Sequence, residues 1–413
     1  MAIVKPFLCI RPNTVVVDKV AALPYDVYSR EEAKREVERQ PLSFLKVDRA
    51  ETQFDDSIDT YDPIVYKKAK ELLESMISEE ILIQDQEPCY YIYELIMDGR
   101  SQTGIVACAS IDDYQNNIIK KHEKTREDKE IDRITHVDVC NAQTGPIFLA
   151  YRSNNIINTE VSLIKKDKPL YNFTSPDGVT HKVWRTSDDA SVGKLQQAFK
   201  EIDNIYIADG HHRSASAVKV GLKRRQENEN YQGTEPYNYF LSVLFPHDQL
   251  LIMSYNRTVK DLNGLEKEEL LDLINKDFNI KVIGKTQYTP KQKGEFAMYL
   301  DNEWYSLNIK EEILEGKDSV KILDVSLLQD YILNPILGIE DPRTDNRIDF
   351  IGGIRGLKEL ERRTSTDMAI AFAMYPTSIT ELFDVSDDDK LMPPKSTWFE
   401  PKLRSGIFIH KLT

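Results

Sequence analysis

A carboxylate, a glycine, two imidazoles and a guanidinium occupy five consecutive positions, Asp209, Gly210, His211, His212 and Arg213. They follow the apolar, β-branched run Ile205–Ala208 and precede the small residues of Ser214–Ser216. That order predicts a strand, a tight turn and a helix N-terminus. The first backbone N–H groups of a helix lack intrahelical partners and favour anions. An arginine can grip phosphate oxygens in a bidentate manner, and imidazoles add further donors. The turn is therefore expected to contact phosphate or nucleotide. Metal ligation by the His pair and a purely structural role are the alternatives. Zinc is disfavoured because adjacent histidines on a turn do not readily present both rings to one ion, unlike an HExxH helix.

Two further stretches carry chemistry-bearing residues. His122, Glu123, Lys124, Thr125 and Arg126 follow the strand-like Ile118–Lys120. At a strand end they would point into a cleft, whereas a charged run of this kind is also the ordinary mark of a solvated face. Near the C-terminus, Pro394, Lys395, Ser396 and Thr397 are expected either to bind phosphate or to form a turn that staples the fold. The LPYDV stretch, Leu23–Val27, contributes Asp26 as a residue to test.

A strand ending in DGHHR and entering an alanine-containing helix resembles the phosphate-binding motif of the ParB/sulfiredoxin-like superfamily. Within it, the order His122-Glu123, Asp209–Arg213 and Pro394–Thr397 is similar to that of the free serine kinases. The chain also resembles a broad bacterial family of unknown function with LPYDV, HEKT, ADGHHR and MPPKST segments. The resemblance implies a nucleotide-dependent kinase of free L-serine giving O-phospho-L-serine, with ATP or ADP as donor and Mg²⁺ as cofactor. It implies Glu123 as catalytic base, and Asp209 as a second catalytic residue that orients a histidine or holds Mg²⁺. Gly210, His211, His212, Arg213 and Ser214 would bind the nucleotide phosphates, while His122, Lys395, Ser396 and Thr397 would meet substrate or product phosphate. A ParB-like nucleotide hydrolase and a nucleotide-gated binding protein are the rival readings. A sulfiredoxin-like reductase is disfavoured, because that chemistry needs a cysteine where this chain has histidine. Residues 1–117 have no counterpart in the compact kinases, and the spacing from Glu123 to Asp209 is longer here.

The elements that must position these groups are read from periodicity and punctuation. Ser29 with Glu32 predicts a capped helix over Arg30–Gln40. Asp62-Pro63 opens a helix whose Val65, Ala69, Leu73 and Met76 share one face. Asp98-Gly99 between two β-rich runs predicts a hairpin, with the tyrosines of Tyr90–Tyr93 packing on a helix. Strands are expected at Ile3–Ile10 and Leu42–Val47, a polar loop at Arg224–Pro236 and a helix at Val325–Leu337. Together these give an α/β (α+β) chain, and the resemblance implies a ParB/sulfiredoxin-like core at residues 118–250. An N-terminal α/β segment, 1–117, and a C-terminal α/β domain, 251–413, complete it, the latter expected to close the cleft.

At 413 residues the chain can bury two or three cores. Its net charge of −14 argues against nucleic acid as the main partner, because phosphate backbones are held by Lys and Arg. The partners expected are a nucleotide and an amino acid. Met1–Asn13 is too short and too broken by proline for a signal or membrane segment, so no membrane partner and a cytoplasmic location are expected. Cys9, Cys89, Cys108 and Cys140 are scattered and predict buried free thiols.

Overall fold

The computed structural model describes all 413 residues, and the chain divides into two units, Met1–Leu250 with Pro401–Thr413, and Leu251–Glu400. It is a mixed α/β protein. No helix is long and apolar enough to cross a membrane.

The first unit is built on a nine-stranded mixed sheet. Its order runs Ile119–Lys120, Ile205–Asp209, Ile147–Tyr151, Tyr239–Pro246, Arg100–Ser110, Tyr90–Met97, Thr180–Thr186 and Tyr171–Thr174, with Val4–Lys5 added to Arg100–Ser110. Two pairings are parallel, Ile205 with Ile119 and Ser242 with Ile147 at their first registers. The Asp98-Gly99 hairpin forms with both residues at positive φ, as a two-residue turn between twisted strands requires. Tyr90, Tyr91 and Tyr93 are fully buried, and Tyr90 Oη donates to the Val4 carbonyl. One core gathers Ile105, Leu149, Ile207, Phe199 and Phe240 around this sheet. A second packs Phe44, Leu45, Val65, Ala69, Leu73 and Met76. Burial of each Val, Leu, Ile, Phe or Met among them contributes roughly 1.5–3 kcal/mol.

The predicted caps form: Ser29 and Glu32 make the reciprocal capping box, and Asp62 accepts from the Ile64 amide at the start of the Pro63–Ser78 helix. All four cysteines are free and buried. Three local readings need correction. Ile3–Ile10 is not one strand but two, Val4–Lys5 and Cys9–Pro12, in different sheets. Pro6 lies in the break, where it has no N–H to give a ladder. Leu45–Asp48 is a short helix rather than a strand, since an apolar run of this length does not reveal its period. The Arg224–Pro236 stretch is helical as far as Glu227.

The second unit is an antiparallel six-stranded sheet, ordered Phe278–Gly284, Glu303–Ile309, Glu295–Leu300, Ile370–Ala373, Tyr255–Val259 and Ile348–Gly352. The Leu357–Thr366 helix covers it, with Leu360 buried beside Trp304, Ile351 and Ala371. The expected Val325–Leu337 helix is a short α-helix, Asp324–Leu328, that widens into a π-turn over Gln329–Leu333.

Candidate functional site

The strand Ile205–Asp209 ends in a register shift opposite Phe148–Leu149, so a bulge falls between Ile207 and Asp209. Bulges re-aim the next side chain, here Asp209. Gly210 follows at φ 99° and ψ 32°, and the helix His211–Glu227 begins at once. A side chain at Gly210 would be strained at this φ, and its Cβ would stand 3.1 Å from Arg213 Nε and Nη2. The Ser214 amide closes the first helical turn on the Gly210 carbonyl, which leaves the N–H groups of the residues before it at the helix N-terminus without helical partners.

Parallel pairing of Ile119–Lys120 with Ile205–Tyr206 carries the next residues to the same sheet end. His122 is thereby buried edge-to-face against His211, with ring centroids 4.4 Å apart. The His122 amide donates to His211 Nε2 at 3.4 Å. A ring nitrogen that accepts must be unprotonated, so the His211 proton sits on Nδ1. Nδ1 in turn stands 3.6 Å from Glu123 Oε2, whose side chain is half exposed. Burial, then the neighbouring His122, holds His211 well below its ordinary pKa. Burial also pushes His122 down to about 4, against the opposing charge of Asp209. Both rings are therefore neutral at pH 7. His122 Nδ1 is buried with no hydrogen-bond partner.

His212 has a different task. Its Nε2 accepts from the Arg126 amide at 3.0 Å, and Arg126 is the N-cap residue of the helix Glu127–Cys140. Burial lowers the His212 pKa as well. The same two helices are tied further along by Glu130, which is buried and accepts from Thr125 Oγ1 and Lys219 Nζ. Burial alone would raise the Glu130 pKa, and those two hydrogen bonds bring it below the ordinary range. Ser216 Oγ adds a bond to the Glu130 carbonyl.

Arg213 folds back over its own turn. Nη1 donates to the Pro146 carbonyl at 2.5 Å, and Nη2 to Asp209 Oδ2 at 3.2 Å. Ser214 is fully buried, with Oγ donating to the His211 carbonyl. Of the predicted site residues, His122, Glu123 and Asp209–Ser214 thus meet at one sheet end of the first unit. Lys395, Ser396 and Thr397 belong to the second unit. There Lys395 adopts φ 58° and its carbonyl accepts from Arg257 Nη2 at 3.0 Å, while Ser396 Oγ donates to the Pro393 carbonyl at 2.7 Å.

The first-unit arrangement offers a half-exposed carboxylate beside a neutral imidazole N–H and a helix N-terminus, with a second carboxylate, Asp209, tied to arginine. No cluster of three metal-ligating side chains is present. Asp209 alone fits Mg²⁺ only in the manner in which that ion is usually held, by one or two carboxylates with substrate phosphates and waters. Sequence reading missed the braces: the Pro146 carbonyl, the Arg126 amide, and Glu130 with Lys219. Glu130 sits in an acidic run that reads as surface, so only its pairing in three dimensions reveals it.

The model of a family described as "Protein of unknown function (DUF1015)" matches residues 4–326. No curated protein matches the chain. Among solved structures, the chain is similar to SbnI with C-terminal truncation from Staphylococcus aureus, at 10% identity and TM-score 0.38, over 71% of this chain and 82% of that one. It is similar to a free serine kinase in complex with AMP at 14% identity and TM-score 0.33, over 72% and 86%. A conserved hypothetical protein from Pyrococcus furiosus matches at 13% identity and TM-score 0.32, over 74% and 94%.

Proposed function

Because the chain belongs to a family described as a protein of unknown function (DUF1015), its reaction has to be read from its own residues, and we propose a nucleotide-dependent phosphotransferase. The acceptor is free L-serine and the product O-phospho-L-serine. The observation that carries this reading is the contact of Glu123 with the Nδ1 side of His211 at the start of the turn helix. The motif order from His122 through Arg213 to Thr397 supports serine as acceptor, by its resemblance to the free serine kinases.

Phosphoryl transfer asks the protein for positioning, charge neutralisation and a base at the acceptor hydroxyl. In the proposed step the serine Oγ attacks the terminal phosphorus of ATP or ADP, and Glu123 takes the hydroxyl proton. The bond from that phosphorus to the bridging oxygen breaks, and ADP or AMP leaves. A positioned general base of this kind supplies roughly 10²- to 10⁴-fold in rate. The His211 N–H stands beside the Glu123 carboxylate, and the helix N–H groups at His211 and His212 are offered to the phosphates. Asp209 holds Arg213 in place and is the residue that would share Mg²⁺ with the nucleotide. When bound, that ion neutralises charge on the phosphate oxygens.

The test is incubation of the purified protein with serine, Mg²⁺ and either ATP or ADP, with O-phosphoserine detected by mass spectrometry. Formation of phosphoserine with one donor is the expected result. Its absence with both donors, under conditions where nucleotide binds, overturns the serine kinase reading. Nucleotide cleavage without an acceptor product would point instead to a hydrolase.

A further inference from the structure

We propose that the second unit carries an oxyanion-binding site of its own, built on Arg257 and taking a phosphate-sized anion into the cavity beside the Pro393–Lys395 turn. The inference uses residues of Leu251–Glu400 only, so it stands whether or not the phosphotransferase reading holds.

Arg257 lies on the strand Tyr255–Val259, paired on both sides, and is 3% exposed. Its guanidinium donates to the carbonyls of Tyr255 and Lys395 and stacks on Phe350, 5.4 Å from the ring centroid. No carboxylate pairs with it. The protein's other buried arginines are all neutralised: Arg11 by Asp85, Arg133 by Asp132 and Arg404 by Asp177. Burial accordingly pulls the Arg257 pKa down to about 10, opposed only by the Tyr255 phenol. A buried charge without a counter-ion is strongly unfavourable, and two carbonyl contacts do not supply one.

The place for the counter-ion is adjacent. Arg257 lines a cavity of about 450 Å³ with Phe350, Pro393 and Pro394. Glu340 and Asp341 also line it, and neither comes within ion-pair distance of Arg257. A second cation, Arg343, lines the same cavity. Two guanidiniums lining a cavity that a tetrahedral oxyanion can enter make the chemistry of a phosphate site.

Calorimetric titration of the full chain with inorganic phosphate in chloride buffer, to about 10 mM, tests this with three variants. Arg213→Gln is expected to retain the binding. Arg257→Met is expected to weaken it by about 10-fold or more, the loss of a charge-assisted contact. Arg257→Lys should fall between, because it keeps the charge and loses the planar fork. Without phosphate, Arg257→Met should melt no lower than the wild type, as removal of an unpaired buried charge predicts. If Arg257→Met fails to fold, the weakening in Arg257→Lys carries the test. Wild-type affinity and stoichiometry in both Arg257 variants would overturn the proposal, as would no phosphate binding by the wild type.

Discussion

His211 presents its Nδ1 to Glu123 at 3.6 Å while its Nε2 accepts from the backbone of His122, the residue just before Glu123. One imidazole is therefore hydrogen-bonded to the main chain of the His-Glu pair and stands beside its carboxylate. The ring is buried and held neutral, so the contact persists across the physiological pH range. In the proposed transfer His211 is a positioning residue, and its removal should show in turnover more than in nucleotide affinity. For His211→Ala we expect kcat for phosphoserine formation to fall by about 10- to 100-fold, the usual cost of a misplaced reacting group. The nucleotide KM should change little. His211→Asn, which can offer an N–H to the carboxylate, should recover part of the loss. Equal losses in both variants would assign His211 a packing role only.

His212 should behave differently, because its Nε2 caps the Arg126 amide. Truncation to alanine removes an N-terminal partner of the Glu127–Cys140 helix and should cost about 1 kcal/mol of stability. Hydrogen exchange at the Arg126 amide should quicken in His212→Ala, with little change at the Ser214 amide. Urea titration and exchange measured on the same samples check both parts.

Much of this site was legible before the fold was known, and the reasons are local. Gly210 between Asp209 and His211 marks a left-handed residue at a strand-to-helix junction, and the φ of 99° agrees. The hairpin at Asp98-Gly99 and the caps at Ser29 and Asp62 are also short-range signals. What the chain concealed is non-local. His122 sits in a run of charges that reads as solvated surface, and only the parallel pairing with Ile205–Tyr206 buries it. Arg257 lies in YNRTV, where a charged residue at an alternating position looks like an outward-facing strand residue. Phe350 and the Lys395 main chain cover its guanidinium instead. Leu45–Asp48 shows the complementary failure, since four residues are too few to reveal a helical period.

Asp324 gives the second unit a pH signature. One carboxylate oxygen accepts from the Gly294 amide and the other is buried without a partner. Burial pushes its pKa up from the usual range to about 7, with Glu381 adding to the rise and the Gly294 amide and Lys293 opposing it. The folded state therefore keeps the proton that the unfolded chain releases near its ordinary pKa of about 4. Stability from this group is complete below that value and is lost as pH rises toward 7. Asp324→Asn keeps the acceptor without the titration. Between pH 5 and pH 8 its stability relative to wild type should grow by roughly 3 kcal/mol. Urea midpoints at pH 5 and pH 8, with unchanged slopes, would register the difference. A constant difference at the two pH values would contradict the assignment.

In the proposed reaction Glu123 is the base of a phosphoryl-transfer site whose nucleotide contacts come from the Asp209–Ser214 turn. Single-turnover transfer to serine and nucleotide affinity, measured side by side for wild type and Glu123→Gln, test it most directly. A fall in transfer of at least about 100-fold is expected in Glu123→Gln, with nucleotide affinity and melting temperature nearly unchanged. Transfer at the wild-type rate in Glu123→Gln, or loss of transfer together with loss of fold, would contradict it.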